Sequence, residues 1–357
     1  MKNIQQYLYI ALSMVAISTL YIVASWEQAT YADNNAQQPR KLAVQEIPAP
    51  PPIPTKQQIE EQKKISILGW NVENLFQAHD VKTKLPKYDS ANRNPKHVQQ
   101  KLYNLSDILR RVNNGLGADI IGLCEVENEI ILQELANHPN LQPLQYRYTY
   151  LKDSTDPRGI DTGIISRFPA DEIRVRPMYV KGDGARFILQ AKFKIHGHNL
   201  YVLVNHWRSQ IGGRKQTEHR RIESAKICRN MVDKILQQEP HADIVLLGDF
   251  NEVPSDIAMR KYLGATLYQG KTTRAKLYNL TRTKKYDPWV KMTDSFDHII
   301  ISRGLLDNKG FYYKPNSFQF ITFQFQCSPK GRPLVFSSQD GYGYSDHFPV
   351  YCELKWK

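Results

Sequence analysis

Short apolar runs alternate with loops along this chain, and six of the runs meet polar side chains at one end. Four are followed by their polar residues: Ile65–Trp70 by Asn71, Ile120–Cys124 by Glu125, Leu200–Val204 by Asn205 and His206, and Ile244–Gly248 by Asp249 and Asn251. Two come after theirs: Asp297 precedes Ile299–Ile301, and Asp346 and His347 precede Phe348–Leu354. If the two sets of strands run antiparallel, all these groups meet at one sheet edge. The pattern predicts a single polar edge whose residue types suit a metal ion and a phosphate.

Two amphipathic helices accompany these strands. Lys96–Asn114 repeats apolar residues at helical spacing and stops at Gly115, and Thr217–Gln238 keeps a second apolar face. Strands alternate with helices, and stretches typical of a β-meander follow residue 290. The pattern predicts an α/β fold, a two-sheet β-sandwich flanked by helices.

The first 56 residues differ from the rest. Leu8–Ala24 is apolar except for three hydroxyl residues. It exceeds the roughly 7–15 residues of a signal-peptide core and just reaches the roughly 17–25 that span a bilayer. Because small residues precede Asp33, we expect a cleaved signal peptide in preference to a retained membrane anchor. The proline-rich stretch Gln37–Lys56 predicts an extended spacer.

The predicted organisation follows from this composition. Residues 1–32 are a signal peptide or N-terminal membrane anchor, 33–60 a Pro-rich linker, and 61–357 one large catalytic domain. The protein is expected to be exported, either secreted or periplasmic, with a possible membrane tether through its N-terminal segment.

Charge narrows the class of partner. The 357 residues carry a formal net charge of +13, and the first 56 contain four basic and three acidic side chains, so nearly all the excess lies in the body. A cationic body favours polyanions, nucleic acid first and anionic lipid surfaces second. A generally basic soluble protein would explain the charge equally well.

The four cysteines show no zinc-binding spacing. Cys124 and Cys228 are expected to be small core residues. Cys327 and Cys352 lie in or near C-terminal strands and could pair in an exported protein.

Six blocks of sequence resemble the endonuclease/exonuclease/phosphatase superfamily, which has the DNase I-like fold. They are WNVENL (70–75), GLCEVEN (122–128), NHW (205–207), GDFN (248–251), FDHIIIS (296–302) and YSDHFPV (344–350). They occur in the expected order between Ile65 and Leu354, and six in order are far more specific than any one alone. Two features depart from the family pattern: Cys124 stands where Gln is common, and residues 156–169 form a variant loop. The resemblance implies a four-layer α/β sandwich and phosphoester hydrolysis.

The resemblance also implies roles for the residues of the polar edge. Asn71 and Glu125 would hold Mg²⁺ or Mn²⁺, since hard oxygen ligands suit these ions, and Asp346 would be a further metal-side or structural carboxylate. The remaining implied roles are catalysis by His206, Asp249, Asn251, Asp297 and His347 and substrate binding by Arg186 and Asn205. In the family, Asp249 would orient or deprotonate the attacking water, and Asp297 would fix the tautomer of His347.

Alternatives remain at several of these positions. Asp249 and Asn251 also suit an ordinary turn before Pro254, and Arg186 also suits a surface salt bridge. Arg158 and Asp161 in the variant loop are weaker candidates. The tyrosine-rich loop Gln339–Tyr344 would either stack on a base or form a surface turn.

The sequence thus predicts an exported, metal-dependent phosphodiesterase, foremost an endonuclease acting on DNA or RNA. The first alternative is a phosphatase or phosphodiesterase for phospholipid or inositol-phosphate head groups. A catalytically inactive polyanion-binding module is the second, and it has no chemical need for the full set of site residues. No protein partner is indicated.

Overall fold

A computed structural model of the chain describes residues 47–60, 62–78, 93–178, 185–271, 276–281, 295–337 and 341–357. The expected signal segment Leu8–Ala24 lies outside these ranges, as do residues 33–46 of the expected linker and Gln339. Among the helices within them, none has the length and apolar character needed to cross a membrane.

Four α-helices are described in these ranges: α1 Lys56–Glu60, α2 Pro95–Arg111, α3 Glu129–Ala136 and α4 Arg214–Gln238. The helix expected at Lys96–Asn114 is α2, which gives way at Val112 to a 3₁₀ turn containing two left-handed asparagines. The helix expected at Thr217 begins three residues earlier, at Arg214, after Gly213. A π-helical turn spans Ala258–Leu263.

The first sheet has the strand order β12-β14-β1-β2-β4-β3, with β13 also paired to β14. Its strands are β1 Ile65–Leu75, β2 Ile120–Val126, β3 Tyr148–Leu151, β4 Asp161–Ser166, β12 Phe311–Tyr313, β13 Gln319–Phe320 and β14 Val350–Trp356. β1 and β2 run parallel, and β14 runs antiparallel to β1.

The second sheet has the order β5-β6-β7-β8-β11-β10-β9. Its strands are β5 Ala170–Pro177, β6 Phe187–Ile195, β7 His198–His206, β8 Asp243–Asp249, β9 Ala265–Leu267, β10 Leu277–Asn279 and β11 Asp297–Ser302. β7 and β8 run parallel, and β11 runs antiparallel to β8. The predicted sandwich of two sheets flanked by helices is confirmed. The stretch after residue 290 is divided between the sheets, because β11 joins the second and β12 to β14 join the first.

The two sheets pack face to face through a core to which alternate residues of the central strands contribute, among them Ile67, Val204, Leu247 and Ile299. Gly122 lets the sheets come close beneath the polar edge. A Cβ placed there would lie 2.3 Å from Leu247 Cδ1 in the opposite sheet. The outer faces of the sheets pack against α2 and α3 on one side and α4 on the other.

Strand direction brings the polar residues of both sheets to the same end of the sandwich. β1 and β2 end there while β14 begins, and β7 and β8 end there while β11 begins. We call this end the polar edge.

The described part of the proline-rich segment lies at the other end. The guanidinium group of Arg110, near the C-terminus of α2, donates hydrogen bonds to the carbonyl oxygens of Pro51 and Pro52 at 3.0 and 2.7 Å. Pro51 also lies against Gly115, which comes shortly before the start of β2. Because β2 ends at the polar edge, its start marks the opposite end of the sandwich. Part of the expected spacer is therefore held against the domain.

All four cysteines are free thiols, so the pairing considered for Cys327 and Cys352 is not formed. Cys352 is buried in the inter-sheet core, and the Cys327 thiol is near its own turn, 3.6 Å from the Phe323 carbonyl oxygen.

Candidate active site

Side-chain alternation decides which polar residues face the site. Val204 and Leu247 point into the inter-sheet core, so His206 and Asp249, two residues further along, point to the same side. Asp297 lies opposite Asp249 in the antiparallel pairing of β11 and β8. These three side chains meet above the core at the polar edge.

Asn205 points to the other face of β7, toward α4. Its amide donates to the Leu203 carbonyl at 3.1 Å and accepts from the Trp207 indole at 3.1 Å. Because its side chain is fully buried in these contacts, it does not join the other predicted site residues.

Glu125 reaches the site through a β-bulge. Strict alternation would place it on the helix-facing side of β2, but the register shifts between Cys124 and Val126, and Glu125 adopts a φ of +66°. Val126 takes the helix-facing position instead. Glu125 Oε1 then lies 3.6 Å from His206 Nε2 in the other sheet. A left-handed non-glycine residue costs roughly 1–2 kcal/mol, and hydrogen bonds from Asn74 N and Arg158 hold this one in place.

Asp249 is the buried centre of the cluster. Its Oδ2 accepts from Asn71 Nδ2 and Asn251 Nδ2, both at 3.1 Å, and its Oδ1 accepts from the Asn251 backbone N–H at 2.8 Å. Burial raises the pKa of Asp249 to about 7, although the positive charge of His347 acts to lower it. Such a carboxylate can accept a proton near neutral pH.

His347 and Asp297 form a short pair, with 2.6 Å between His347 Nδ1 and Asp297 Oδ2. Burial opposes protonation of His347, but Asp297, Asp249 and Asp346 outweigh it and hold the pKa of His347 well above its usual range. The ring is therefore a cation. Its Nε2 lies 3.9 Å from Asp249 Oδ2 and 3.8 Å from Asp346 Oδ1, and the Asp346 side chain is about half exposed.

His206 is neutral. Burial, with the charges of Arg186 and Arg158, holds its pKa well below the usual range. Its Nε2 lies 2.9 Å from Arg186 Nη1, which can only donate, so the proton of the ring is on Nδ1. That Nδ1 has no hydrogen-bond partner within the described residues. In this arrangement His206 orients Arg186.

The oxygen-rich edge fits a divalent cation. Asp297 Oδ1 is buried without a hydrogen-bond partner in the described part of the chain. Burial raises the pKa of Asp346, the neighbouring His347 acts to lower it, and the carboxylates of Glu125 and Asp297 act to raise it. Carboxylate and amide oxygens are the ligands that Mg²⁺ and Mn²⁺ prefer.

Two positions could hold such a cation, the first grouped by the geometry of the described residues and the second implied by the family resemblance. Ligand atoms of Asp249, Asp297 and His347 all lie within 4.8 Å of one another. Occupation there would displace the His347–Asp297 hydrogen bond and place the cation beside an imidazolium. The position at Glu125, with Asn71 and Asp346, leaves that pair intact, and we favour it for this reason.

Sequence reasoning gave little or no weight to several residues beside Glu125. Arg158 donates to Glu125 Oε2 at 3.3 Å and to Asn74 Oδ1. The buried Lys101 donates to the Glu73 carbonyl oxygen in the left-handed turn that carries Asn74. The available signals were the variant loop around Arg158 and the position of Glu73 and Asn74 in WNVENL.

Two weaker candidates lie away from the cluster. Asp161 accepts a hydrogen bond from Ser154 N at 3.1 Å and supports the variant loop. In the tyrosine-rich loop, the Tyr344 ring is buried, with its centroid 5.9 Å from that of Phe325, so it lines the core.

The model of the Endonuclease/Exonuclease/phosphatase family matches residues 66–356. The fold is similar to that of a mannosyl-6-phosphatase from Bacteroides thetaiotaomicron, with a TM-score of 0.52 and 16% identity over 82% of this chain and 100% of that one. It is also similar to humanized D. rerio TDP2, with a TM-score of 0.50 and 16% identity over 82% and 100% of the two chains. The human Nocturnin catalytic domain matches with a TM-score of 0.50 and 14% identity over 82% and 94%. At these identities the likeness shows the fold alone. No curated protein sequence matches the chain significantly.

Proposed function

The chain belongs to the endonuclease/exonuclease/phosphatase family of hydrolases, and we propose that it is a divalent-metal-dependent phosphodiesterase that cleaves nucleic acid internally. The observation that carries the proposal is the charged His347–Asp297 pair beside Asp249 at the polar edge. The protonated His347 ring and the Asp249 carboxylate, which can accept a proton, are 3.9 Å apart between Nε2 and Oδ2. Both can therefore contact the same phosphate group.

These side chains divide the work of phosphodiester hydrolysis. The His347 imidazolium stabilises negative charge on a non-bridging oxygen by donating from Nε2. Asp249 orients the attacking water and accepts its proton, while Asn71 and Asn251 fix the carboxylate. A divalent cation held by Glu125, Asn71 and Asp346 would supply Lewis-acid stabilisation of the phosphate and leaving group.

Charge and the position of the linker support nucleic acid as the substrate. A net charge of +13 favours a polyanion over a single phosphate group. Pro51 and Pro52 are held at the end of the sandwich opposite the polar edge. The seven residues of β2 run from that end to the polar edge and span about 20 Å. Even if the N-terminal segment were retained as an anchor, the polar edge would face away from the tether, which suits a soluble polymer better than head groups of the same membrane.

Export completes the proposal, and it rests on the sequence of the first 32 residues. We propose that the segment directs the chain out of the cytoplasm and that cleavage releases the enzyme. Immunoblotting of culture medium, periplasm and membranes would locate the protein and reveal the shortened form. A full-length product confined to the cytoplasm would contradict export.

The decisive assay incubates the purified protein with plasmid DNA, single-stranded RNA and phosphoinositides, with Mg²⁺ or with excess EDTA. We expect Mg²⁺-dependent cleavage of nucleic acid and loss of that activity in Glu125→Ala at ordinary Mg²⁺. Excess metal should partly rescue the variant, because Asn71 and the substrate phosphate still offer oxygen ligands. Glu223→Ala, at an exposed glutamate of α4, is the matched control. Full activity in EDTA would refute the metal, and turnover of phosphoinositides alone would refute the substrate.

A further inference from the structure

Five residues form a closed ring of contacts beside the proposed metal position, and Arg158 takes part in it through both its side chain and its backbone N–H. Arg158 Nη2 lies 3.3 Å from Glu125 Oε2, and Glu125 Oε1 lies 3.6 Å from His206 Nε2. His206 Nε2 accepts from Arg186 Nη1 at 2.9 Å, and Asp156 connects Arg186 back to Arg158. Two guanidinium groups are therefore held on either side of the same histidine and glutamate.

Asp156 joins the two arginines through its two carboxylate oxygens. Oδ1 accepts from the Arg158 backbone N–H, and Oδ2 accepts from Arg186 Nε, both at 2.9 Å. Both Asp156 and Arg186 are buried, so the pair is not a surface salt bridge. Thr155 Oγ1 accepts from Ala185 N at 3.0 Å and fastens the same two segments again. The variant loop thus fixes both arginines.

The two arginines differ in what they are bound to. Asp156 and the Trp207 carbonyl oxygen hold Arg186 with contacts that do not involve the metal position. Arg158 donates instead to Glu125, the proposed metal ligand, and to Asn74. A cation bound by Glu125 would compete with Arg158 for the negative charge of the carboxylate. It would also repel the Arg158 guanidinium group.

We propose that Arg158 adds a second guanidinium group to that of Arg186, for which the family resemblance already implies substrate binding. The two form a paired clamp for the non-bridging oxygens of the substrate phosphate, with Asp156 as their common positioning residue. Arg158 also couples metal to substrate: it neutralises Glu125 before the cation binds and turns its N–H groups to the phosphate afterwards. Planar guanidinium groups suit this task because they donate two parallel hydrogen bonds to a phosphate. The inference rests on the proposed phosphoester hydrolysis and extends it to residues of the variant loop.

The test measures binding, so it does not depend on turnover. Titrations determine the Kd of Mn²⁺ with and without inorganic phosphate for the wild type, Arg158→Met, Arg158→Lys and Asp156→Asn. Arg147→Met removes an equal charge from an exposed arginine near the start of β3 and serves as the control. Circular dichroism and melting temperature identify variants that fold.

In the wild type and in Arg147→Met, phosphate should tighten Mn²⁺ binding by roughly 5–150-fold, the usual range for coupled sites. Arg158→Met should bind Mn²⁺ alone at least as tightly as the wild type and lose most of the coupling. Arg158→Lys should keep part of it, since a lysine retains the charge but not the fork. Asp156→Asn should weaken phosphate binding and leave the Kd of Mn²⁺ alone unchanged, a division that general destabilisation would not produce.

The outcomes separate this inference from the function beneath it. Coupling that survives Arg158→Met, or that falls equally in Arg147→Met, would overturn the clamp and leave the proposed function standing. A wild type that binds Mn²⁺ without any gain in phosphate affinity would also overturn the clamp, whereas a wild type that binds no divalent cation would overturn the metal dependence of the proposed function as well. If Arg158→Met does not fold, Arg158→Lys decides the question. Coupling as strong as in the wild type would then show that the guanidinium group of Arg158 is not needed, and would overturn the clamp.

Discussion

Four residues at or beside the site have left-handed backbone conformations. Glu73, Asn74, Glu125 and Asn251 all have φ values between 51° and 66°. Each such conformation costs of order 1–3 kcal/mol for a residue other than glycine, and it persists where surrounding contacts enforce it. Here the contacts are Lys101 on Glu73, Arg158 on Asn74 and Glu125, and Trp207 on Asn251. At these four positions the strained backbone orients the proposed ligands and catalytic groups.

The His347–Asp297 pair yields a prediction at this scale. His347→Ala should lower kcat by about 10²–10⁴, the range for a positioned proton donor. Because Asp297 acts by keeping His347 charged and oriented, the double variant with Asp297→Ala should be little slower than His347→Ala alone. Steady-state kinetics of the two single variants and the double variant measure this directly.

His219→Ala, at an exposed histidine of α4, is the control and should retain wild-type kcat. Rate losses that multiply in the double variant would show that the two residues act independently.

At the scale of elements, one buried arginine on α4 fastens two loops of the polar edge. The fully buried Arg221 donates from Nε to Glu252 Oε1 at 2.6 Å and from Nη2 to the Arg214 carbonyl at 2.8 Å. Glu252 follows Asn251 directly, and its carbonyl oxygen lies 2.7 Å from His298 Nε2. The helix therefore carries the turn that holds Asn251.

Removing Arg221 alone should destabilise the fold markedly. We expect Arg221→Met to lower the free energy of unfolding by about 3–5 kcal/mol, because the buried Glu252 would lose the cation that compensates its charge. The double variant Arg221→Met/Glu252→Leu should be more stable than the single one, since no uncompensated charge remains. Urea denaturation followed by tryptophan fluorescence measures both.

Arg260→Met, at an exposed arginine, should change the free energy of unfolding little and serves as the control. A double variant less stable than Arg221→Met would show that packing, and not the unpaired charge, sets the loss.

At the scale of the whole molecule, the salt dependence of substrate affinity distinguishes a nucleic acid from a substrate with a single phosphate group. A body that grips several backbone phosphates should release a counterion at each, with a log–log slope of roughly −0.9 per contact on duplex DNA. A substrate with a single phosphate group engages only the polar edge and should show a slope near that of one or two contacts.

The measurement uses the His347→Ala protein, whose slow turnover preserves the substrate, with duplex DNA and single-stranded RNA between low and moderate salt. We expect steep slopes for at least one of them. A flat dependence for both, with hydrolysis of a soluble head-group phosphate, would transfer the assignment to head-group substrates.

Local pattern was sufficient for the architecture and for much of the polar edge. Apolar runs and helical periodicity predicted α2, α4 and the central strands, because burial of an apolar face imposes a period of 2 or 3.6 whatever the tertiary context. Strand direction then predicted that Asn71, His206, Asp249, Asp297 and His347 would share one edge, and the structure places them there. Side-chain alternation also predicts that His206 and Asn205 face opposite sides of β7, since adjacent strand residues do so.

Tertiary structure alone decided what breaks the local period or depends on distant segments. The bulge at Glu125 exists only because β2 pairs with β1 and β4 in shifted registers, so no pattern within β2 reveals it. Asp156 and Arg158 gain their place through contacts with Arg186 and Glu125, which lie about 30 residues away along the chain. The charge state of His347 likewise follows from burial among three carboxylates drawn from separate strands and loops. Sequence period determines which face a side chain takes, whereas hydrogen-bond partners and electrostatic environment are fixed only once the chain has brought distant segments together.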